Sequence, residues 1–151
     1  MGQSLSKIYL HIIFHVKSSG VKLLMETRDE LYGYINGIVK HCDAHCIQAG
    51  GTTDHVHLLC TLPRSVTVAH LVEEIKRNSS KWLKEKNVHY AKFEWQTGYG
   101  VFSVSQSQVE TVVKYINNQL EHHKHKSPTE EYEEWLRAYE TEYDPRYFLK
   151  D

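Results

Sequence analysis

Hydrophobic and polar positions alternate from Ile8 to Val16, with Ile8, Leu10, Ile12, Phe14 and Val16 on one face and Tyr9, His11, Ile13 and His15 on the other. That period of two is the mark of a strand. Thr27-Arg28-Asp29-Glu30 has the form of a capping box, and Leu31, Tyr34, Ile35 and Ile38 continue it as an apolar helical stripe. Ala44 to Ala49 reads as a second strand, Gly50-Gly51-Thr52-Thr53 as a turn, and Val56, Leu58, Cys60 and Leu62 as a third strand, which together predict a hairpin. After Pro63, the spacing of Val68, Leu71, Val72, Ile75, Trp82 and Leu83 predicts a long second helix, and Gly98 precedes a fourth strand over Tyr99 to Val104.

Two further helices are expected. Ser105-Gln106-Ser107-Gln108 resembles a capping box and opens a helix with Val109, Val112, Val113, Ile116 and Leu120 on its buried side. Ser127-Pro128-Thr129-Glu130 starts another, with proline at its first position and Tyr132, Trp135, Leu136 and Tyr139 following. The order strand, helix, strand, strand, helix, strand is the split βαβ arrangement of ferredoxin-like α/β (α+β) folds, with an antiparallel sheet and two additional C-terminal helices. The first and third strands should lie side by side, with the first two helices on one sheet face and the other face left for a site or partner.

Composition narrows the class. At 151 residues with 40% hydrophobic positions, the chain is expected to form one domain over residues 1–151, with a core that needs no staples. The longest apolar run, Ile8 to Val16, is broken by His11 and His15 and falls short of the about 20 residues a membrane helix requires. No secretory leader is evident, and Cys42, Cys46 and Cys60 form an odd set, so free thiols in a reducing cytoplasm are expected. The segment His41-Cys42-Asp43-Ala44-His45-Cys46 lacks the paired spacing of a zinc knuckle.

The 11 histidines are the compositional oddity. His55-Val56-His57 lies on the third strand, where residues two apart share a face, so both imidazoles point away from the Val56, Leu58 and Cys60 side. Two parallel imidazoles make half of a metal site or, more plainly, a pair of surface histidines; His11 belongs to the same open face. On the helix from Ser105, Thr111, Tyr115, Gln119 and His122 form one stripe at helical spacing. Tyr115 and Gln119 have ordinary readings as a packing residue and a helix former. If the histidines face them, however, His55, His57 and the Gln119 carbonyl oxygen would hold a divalent ion with open positions, beside a phenol able to attack a phosphodiester. Imidazole and amide oxygen ligands favour magnesium or manganese over a closed zinc site.

The ordered set Thr53-Asp54-His55-Val56-His57-Leu58-Leu59, Phe93-Glu94-Trp95-Gln96-Thr97-Gly98-Tyr99-Gly100, Phe102-Ser103-Val104-Ser105 and Tyr115-Ile116-Asn117-Asn118-Gln119-Leu120-Glu121-His122-His123 resembles the single-tyrosine HUH-superfamily transposases of small insertion sequences. These are the IS200-like enzymes related to REP-associated tyrosine transposases. The resemblance implies metal-dependent cleavage and rejoining of single-stranded DNA at hairpin-marked element ends. It makes Tyr115 the nucleophile of a covalent 5′-phosphotyrosine, His55 and His57 metal ligands, and Gln119 the third ligand; His11, placed on the same face by the pleat, is expected behind them as a supporting residue. It also implies Mg2+ or Mn2+ as cofactor and a homodimer, with no membrane and no nucleotide cofactor.

A net charge of −1 means that any phosphate binding must be local. Arg77, Lys81 and Lys84 share a stripe of the second helix, Lys92, Lys114, Lys124 and Lys126 add charge elsewhere, and His122 lies on the tyrosine stripe. The same residues also read as an ordinary solvated helix face. Trp82 has core spacing, whereas Trp95 is a candidate for stacking an unpaired base. His122, His123 and His125 also suit the carbonyl end of a helix. Three other functions fit the residues: an HUH nuclease that nicks without transposing, a catalytically idle single-strand binder, and a small metal hydrolase in which Tyr115 is structural.

Overall fold

The computed structural model describes residues 2–149. Four strands, β1 (Tyr9–His15), β2 (Cys46–Gly51), β3 (His55–Thr61) and β4 (Gly100–Val104), form one antiparallel sheet in the order β2-β3-β1-β4. The first and third strands are the central pair, as the split βαβ arrangement requires. Helix α1 (Arg28–His41) lies between β1 and β2 and helix α2 (Val68–Lys86) between β3 and β4, and α3 (Val109–Asn117), α4 (Gln119–His122) and α5 (Pro128–Ala138) follow.

The pleat separates two environments. Leu10, Ile12, Phe14, Val56, Leu58 and Cys60 point to one face and are buried with Leu31 and Ile35 of α1 and Leu71, Val72 and Ile75 of α2. Trp82 packs on the rim of this core, stacked on Tyr34 at 5.0 Å. The opposite face carries His11, Ile13, His15, His55, His57 and Leu59. Two smaller apolar clusters lie over it, one joining Leu59 to Val112 and Ile116 of α3, the other joining Ile13 and Phe102 to Leu136 of α5. The histidine face is therefore covered, where the sequence left it open.

Local differences from expectation have local causes. The hairpin turn lies after Gly51, because Gly50 and Gly51 pair with His57 and Val56 and extend β2. Thr27 caps nothing with its side chain and is buried after a short 3₁₀ turn; a second 3₁₀ turn, Gln106–Gln108, replaces the expected cap at Ser105. By contrast, Ser127 Oγ accepts from the Glu130 amide at 3.2 Å, and Thr67 caps α2 by accepting from the His70 amide at 3.1 Å. The helix expected to run through Leu120 is interrupted at Asn118, whose φ of −98° and ψ of 18° divide α3 from α4 and leave Leu120 exposed. Two asparagines in succession, Asn117 and Asn118, weaken the helix there.

Glycine sets how closely the helices approach the histidine face. A Cβ on Gly50 would meet the Ile116 carbonyl oxygen at 2.5 Å, and one on Gly100 would meet Tyr132 Oη at 2.7 Å. Their absence lets α3 settle on β2 and α5 on β4. No described helix is long and apolar enough to cross a membrane.

Candidate active site

His55 and His57 are fully buried on β3, and both turn their Nε2 atoms inward because their Nδ1 atoms are occupied. His55 Nδ1 lies 2.7 Å from Asp54 Oδ1 and 2.9 Å from Thr52 Oγ, while His57 Nδ1 lies 2.7 Å from His11 Nε2. Such outer contacts fix the ring orientation and tautomer of ligating histidines. His11 is thus in contact with His57, and its own Nδ1 is a buried atom with no hydrogen-bond partner. His15 stacks on His55 at 5.3 Å and on Tyr132 at 5.6 Å.

α3 and α4 bring Tyr115 and Gln119 to the same place. Gln119 Oε1 is 3.0 Å from His55 Nε2, and Gln119 Nε2 donates to the Tyr115 carbonyl at 3.4 Å. The tyrosine ring stands 5.7 Å from that of His57 and 6.0 Å from that of His11. The four residues singled out by spacing therefore converge, across 64 positions of chain between His55 and Gln119.

At their centre is a residue the sequence did not single out. Glu131, on the first turn of α5, is only 2% exposed. Its Oε1 is 2.9 Å from His57 Nε2 and 3.7 Å from His55 Nε2. On the other oxygen, Oε2 accepts a short hydrogen bond from Tyr115 and a longer one, 3.2 Å, from Gln119 Nε2. His123 Nε2 also lies 3.2 Å from Oε2, and 3.1 Å from Gln119 Oε1. His122 Nε2 is 3.2 Å from the same carboxylate oxygen without the alignment of a hydrogen bond. His122 and His123 hence belong to the site rather than merely ending a helix. Trp135, one turn beyond Glu131, donates its indole N–H to Tyr115 Oη at 3.2 Å.

Burial and charge set the protonation states. Desolvation, reinforced by His57, lowers His11 to about 3; desolvation also lowers His57 to about 4, against the pull of Glu131. Desolvation likewise lowers His15 to about 3. These three imidazoles are neutral at pH 7, the form that binds metal. Burial alone would raise Glu131, but hydrogen bonds from His123 and His57 bring it well below the usual carboxylate range. Desolvation and the adjacent Glu131 charge push the Tyr115 phenol well above an ordinary tyrosine.

The donor set fits a divalent cation. Ligand atoms of His55, His57 and Glu131 lie within 4.8 Å of one another. His55 Nε2 and Gln119 Oε1 lie 3.0 Å apart, so the amide oxygen stands beside the two imidazoles and the carboxylate. A divalent cation at this point would take the imidazole nitrogens and the carboxylate and amide oxygens as ligands.

The candidate DNA contacts are distributed differently. α2 packs on the far sheet face, so exposed Lys81 and Lys84 lie in the layer across the sheet from Tyr115. Arg77, on the same helix, is ion-paired with Glu73 at 3.0 Å and with Glu74. Trp95 is not free to stack a base: it packs edge-on against Phe14 at 4.7 Å and Phe93 at 4.9 Å and donates to Ser79 Oγ at 3.0 Å.

Comparison with known proteins follows this geometry. The family model "Transposase IS200 like" matches residues 4–119, and the chain belongs to that family of transposases. Its fold is similar to the crystal structure of a candidate transposase from Deinococcus radiodurans R1, with TM-score 0.61 and 23% identity over 79% of this chain and 96% of that one. It is also similar to a REP-associated tyrosine transposase solved bound to a REP hairpin, with TM-score 0.59 and 16% identity over 82% of this chain and 74% of that one. No curated protein sequence matches the chain significantly.

Proposed function

We propose that the chain is a metal-dependent single-strand DNA nuclease and strand transferase acting through Tyr115. The observation that carries this reading is the convergence of side-chain nitrogen and oxygen atoms from His55, His57, Gln119 and Glu131 on one buried point, with the Tyr115 hydroxyl bonded to Glu131 beside them. The cofactor of this reading is magnesium or manganese, which His55, His57 and Glu131 would hold, with Gln119 as a further oxygen donor. When bound, such an ion offsets the Glu131 charge, eases ionisation of the phenol and draws charge from the phosphoryl group.

The chain's own residues do the rest. Trp135 and Glu131 hold the Tyr115 oxygen in place, and the phenol proton leaves along the hydrogen bond that Glu131 Oε2 already accepts. The tyrosine oxygen bonds to phosphorus, the bond to the 3′ oxygen of the upstream strand breaks, and that oxygen takes a proton from solvent. The products are a 5′-phosphotyrosine and a 3′-hydroxyl, and reversal with a second 3′-hydroxyl rejoins DNA without a nucleotide triphosphate. The substrate is single-stranded DNA marked by hairpins, and the protein works as a homodimer. Within one chain, Tyr115 stands beside the histidines and Glu131 of that same chain.

Incubating protein with labelled single-stranded DNA from the flanks of its gene and Mn2+, then separating on a denaturing gel, tests the proposal. A denaturation-resistant adduct is expected with wild type and none with Tyr115→Phe. Cleavage retained by Tyr115→Phe would contradict it and favour a metal hydrolase, whereas binding without cleavage by wild type would favour an idle binder.

A further inference from the structure

A cleft of about 420 Å³ opens beside Tyr115, between the outer edge of β4, the start of α3 and the end of α5. Its volume falls in the range of small-ligand pockets. Ser103, Gln108 and Thr111 supply hydroxyl and amide groups on one side, Trp135 and Tyr139 supply aromatic surface on the other, and Tyr115 lies at the inner end. No side chain lining it carries a formal charge.

The aromatic wall is fixed. Tyr139 donates its hydroxyl to the Ser103 carbonyl at 2.6 Å, which ties the end of α5 to the sheet edge. Its ring lies 4.9 Å from Phe102 and 6.0 Å from Trp135, and 39% of the residue remains exposed. A large ring held this firmly yet left partly open provides a stacking surface. On the opposite wall, Gln108, Thr111 and Tyr115 are spaced three and four residues apart, so one helical stripe leads from an amide through a hydroxyl to the phenol.

We infer that this cleft binds one unpaired nucleobase of the DNA strand, stacked on Tyr139 and Trp135, and so positions the neighbouring phosphodiester at Tyr115. The inference rests on the strand-transfer reading above. An uncharged lining suits a flat neutral heterocycle and not a phosphate or a carboxylate, and base stacking on aromatic side chains is the usual means of holding single strands. Continuity with the phenol assigns the occupant: a group seated in the cleft is joined, through its sugar, to a phosphate next to Tyr115. Ser103, Gln108 and Thr111 then read the base edge and give the site a base preference.

Photocrosslinking tests this with Tyr115→Phe protein, which keeps the strand uncut, and a short single-stranded oligodeoxynucleotide carrying 5-iododeoxyuridine at each position in turn. Mass spectrometry should map the crosslink to Tyr139 or Trp135. In parallel, Tyr139→Leu should weaken oligodeoxynucleotide binding by about five- to a hundredfold, with Tyr139→Phe close to wild type. Thr111→Trp, a change at an exposed position that fills the cleft, should weaken binding while leaving the melting temperature unchanged. Crosslinks confined to other residues, no crosslink at any position, or undiminished binding by folded Thr111→Trp would overturn the inference. The two readings fail separately. A covalent adduct with wild type but crosslinks only elsewhere removes the cleft and keeps strand transfer; crosslinking at Tyr139 without any adduct keeps the cleft and removes strand transfer.

Discussion

The two faces of the β1–β3 pair are built from alternate residues of the same seven-residue strands, yet they meet different demands. On one face Ile12, Phe14, Val56 and Leu58 are closed off by α1 and α2 in a dry core. On the other, His11, His15, His55 and His57 are also buried; His11, His55 and His57 are bonded through nitrogen to Asp54, to Glu131 and to one another, and His15 is stacked on His55. Burial alone therefore does not distinguish a stabilising face from a reactive one. Partners do: an apolar side chain needs only contact, whereas a buried imidazole is stabilised by a hydrogen bond or a cation at its nitrogens.

The sharpest way to break this comparison is to truncate neighbours on opposite faces. His57→Ala should remove Mn2+ binding, followed by titration calorimetry, and abolish adduct formation while the protein stays folded. Leu58→Ala should do the reverse, costing about 2–5 kcal/mol in a denaturant melt and leaving Mn2+ affinity intact in the folded fraction. Similar losses of stability from both would mean the histidine face is a second core.

Next in size is the outer contact that aims His55. Asp54→Asn leaves the imidazole in place but replaces the charged partner of its Nδ1 by a neutral amide, and metal affinity should fall roughly 10- to 100-fold. Unchanged affinity would show that packing alone orients the ring.

The two faces also differ in their response to acid. Folding lowers His57 to about 4 and His11 and His15 to about 3, below their unfolded value near 6.5. The unfolded chain therefore binds more protons, so stability is full above about pH 6.5 and is lost as pH falls toward 4 and 3. The metal-free protein should melt several degrees lower at pH 4.5 than at pH 7.5, and Mn2+ should raise the melting temperature further at pH 7.5 and not at pH 4.5. A flat profile would mean the imidazoles are not held neutral.

The smallest effect concerns α2. Lys81 and Lys84 lie across the sheet from Tyr115, so replacing both by alanine should leave cleavage at saturating DNA unchanged. The double variant should instead lower affinity for hairpin DNA and flatten its salt dependence by somewhat less than two. A slower chemical step would place these lysines nearer the reaction than the fold does.

Much of this was legible before the structure, for identifiable reasons. The alternation of β1 and β3 announces two faces, and the spacing of Tyr115 and Gln119 announces one helical side; both are local periodicities. Glu131 was not legible, because it sits among Glu130, Glu133 and Glu134 in what reads as a solvated acidic helix. A signal was available: Glu131 shares the i, i+4, i+8 stripe with Trp135 and Tyr139, so it was the one glutamate of the four on that aromatic side. What no local pattern carries is that α5 folds back across the histidine face. The break at Asn118 was missed for a related reason, since Leu120 continued the apolar period of α3 even as the paired asparagines interrupted its backbone.

The central claim is that the histidine face exists to serve Tyr115, and the most direct test is to find the atom that DNA becomes attached to. Wild-type protein incubated with Mn2+ and single-stranded DNA from its own flanks would be digested with nuclease and protease, and the nucleotide-bearing peptide sequenced by mass spectrometry. A nucleotide joined through a 5′-phosphate to Tyr115 is the predicted result. Attachment to any other residue, or cleaved DNA with free 5′-phosphate and no modified peptide, would contradict it.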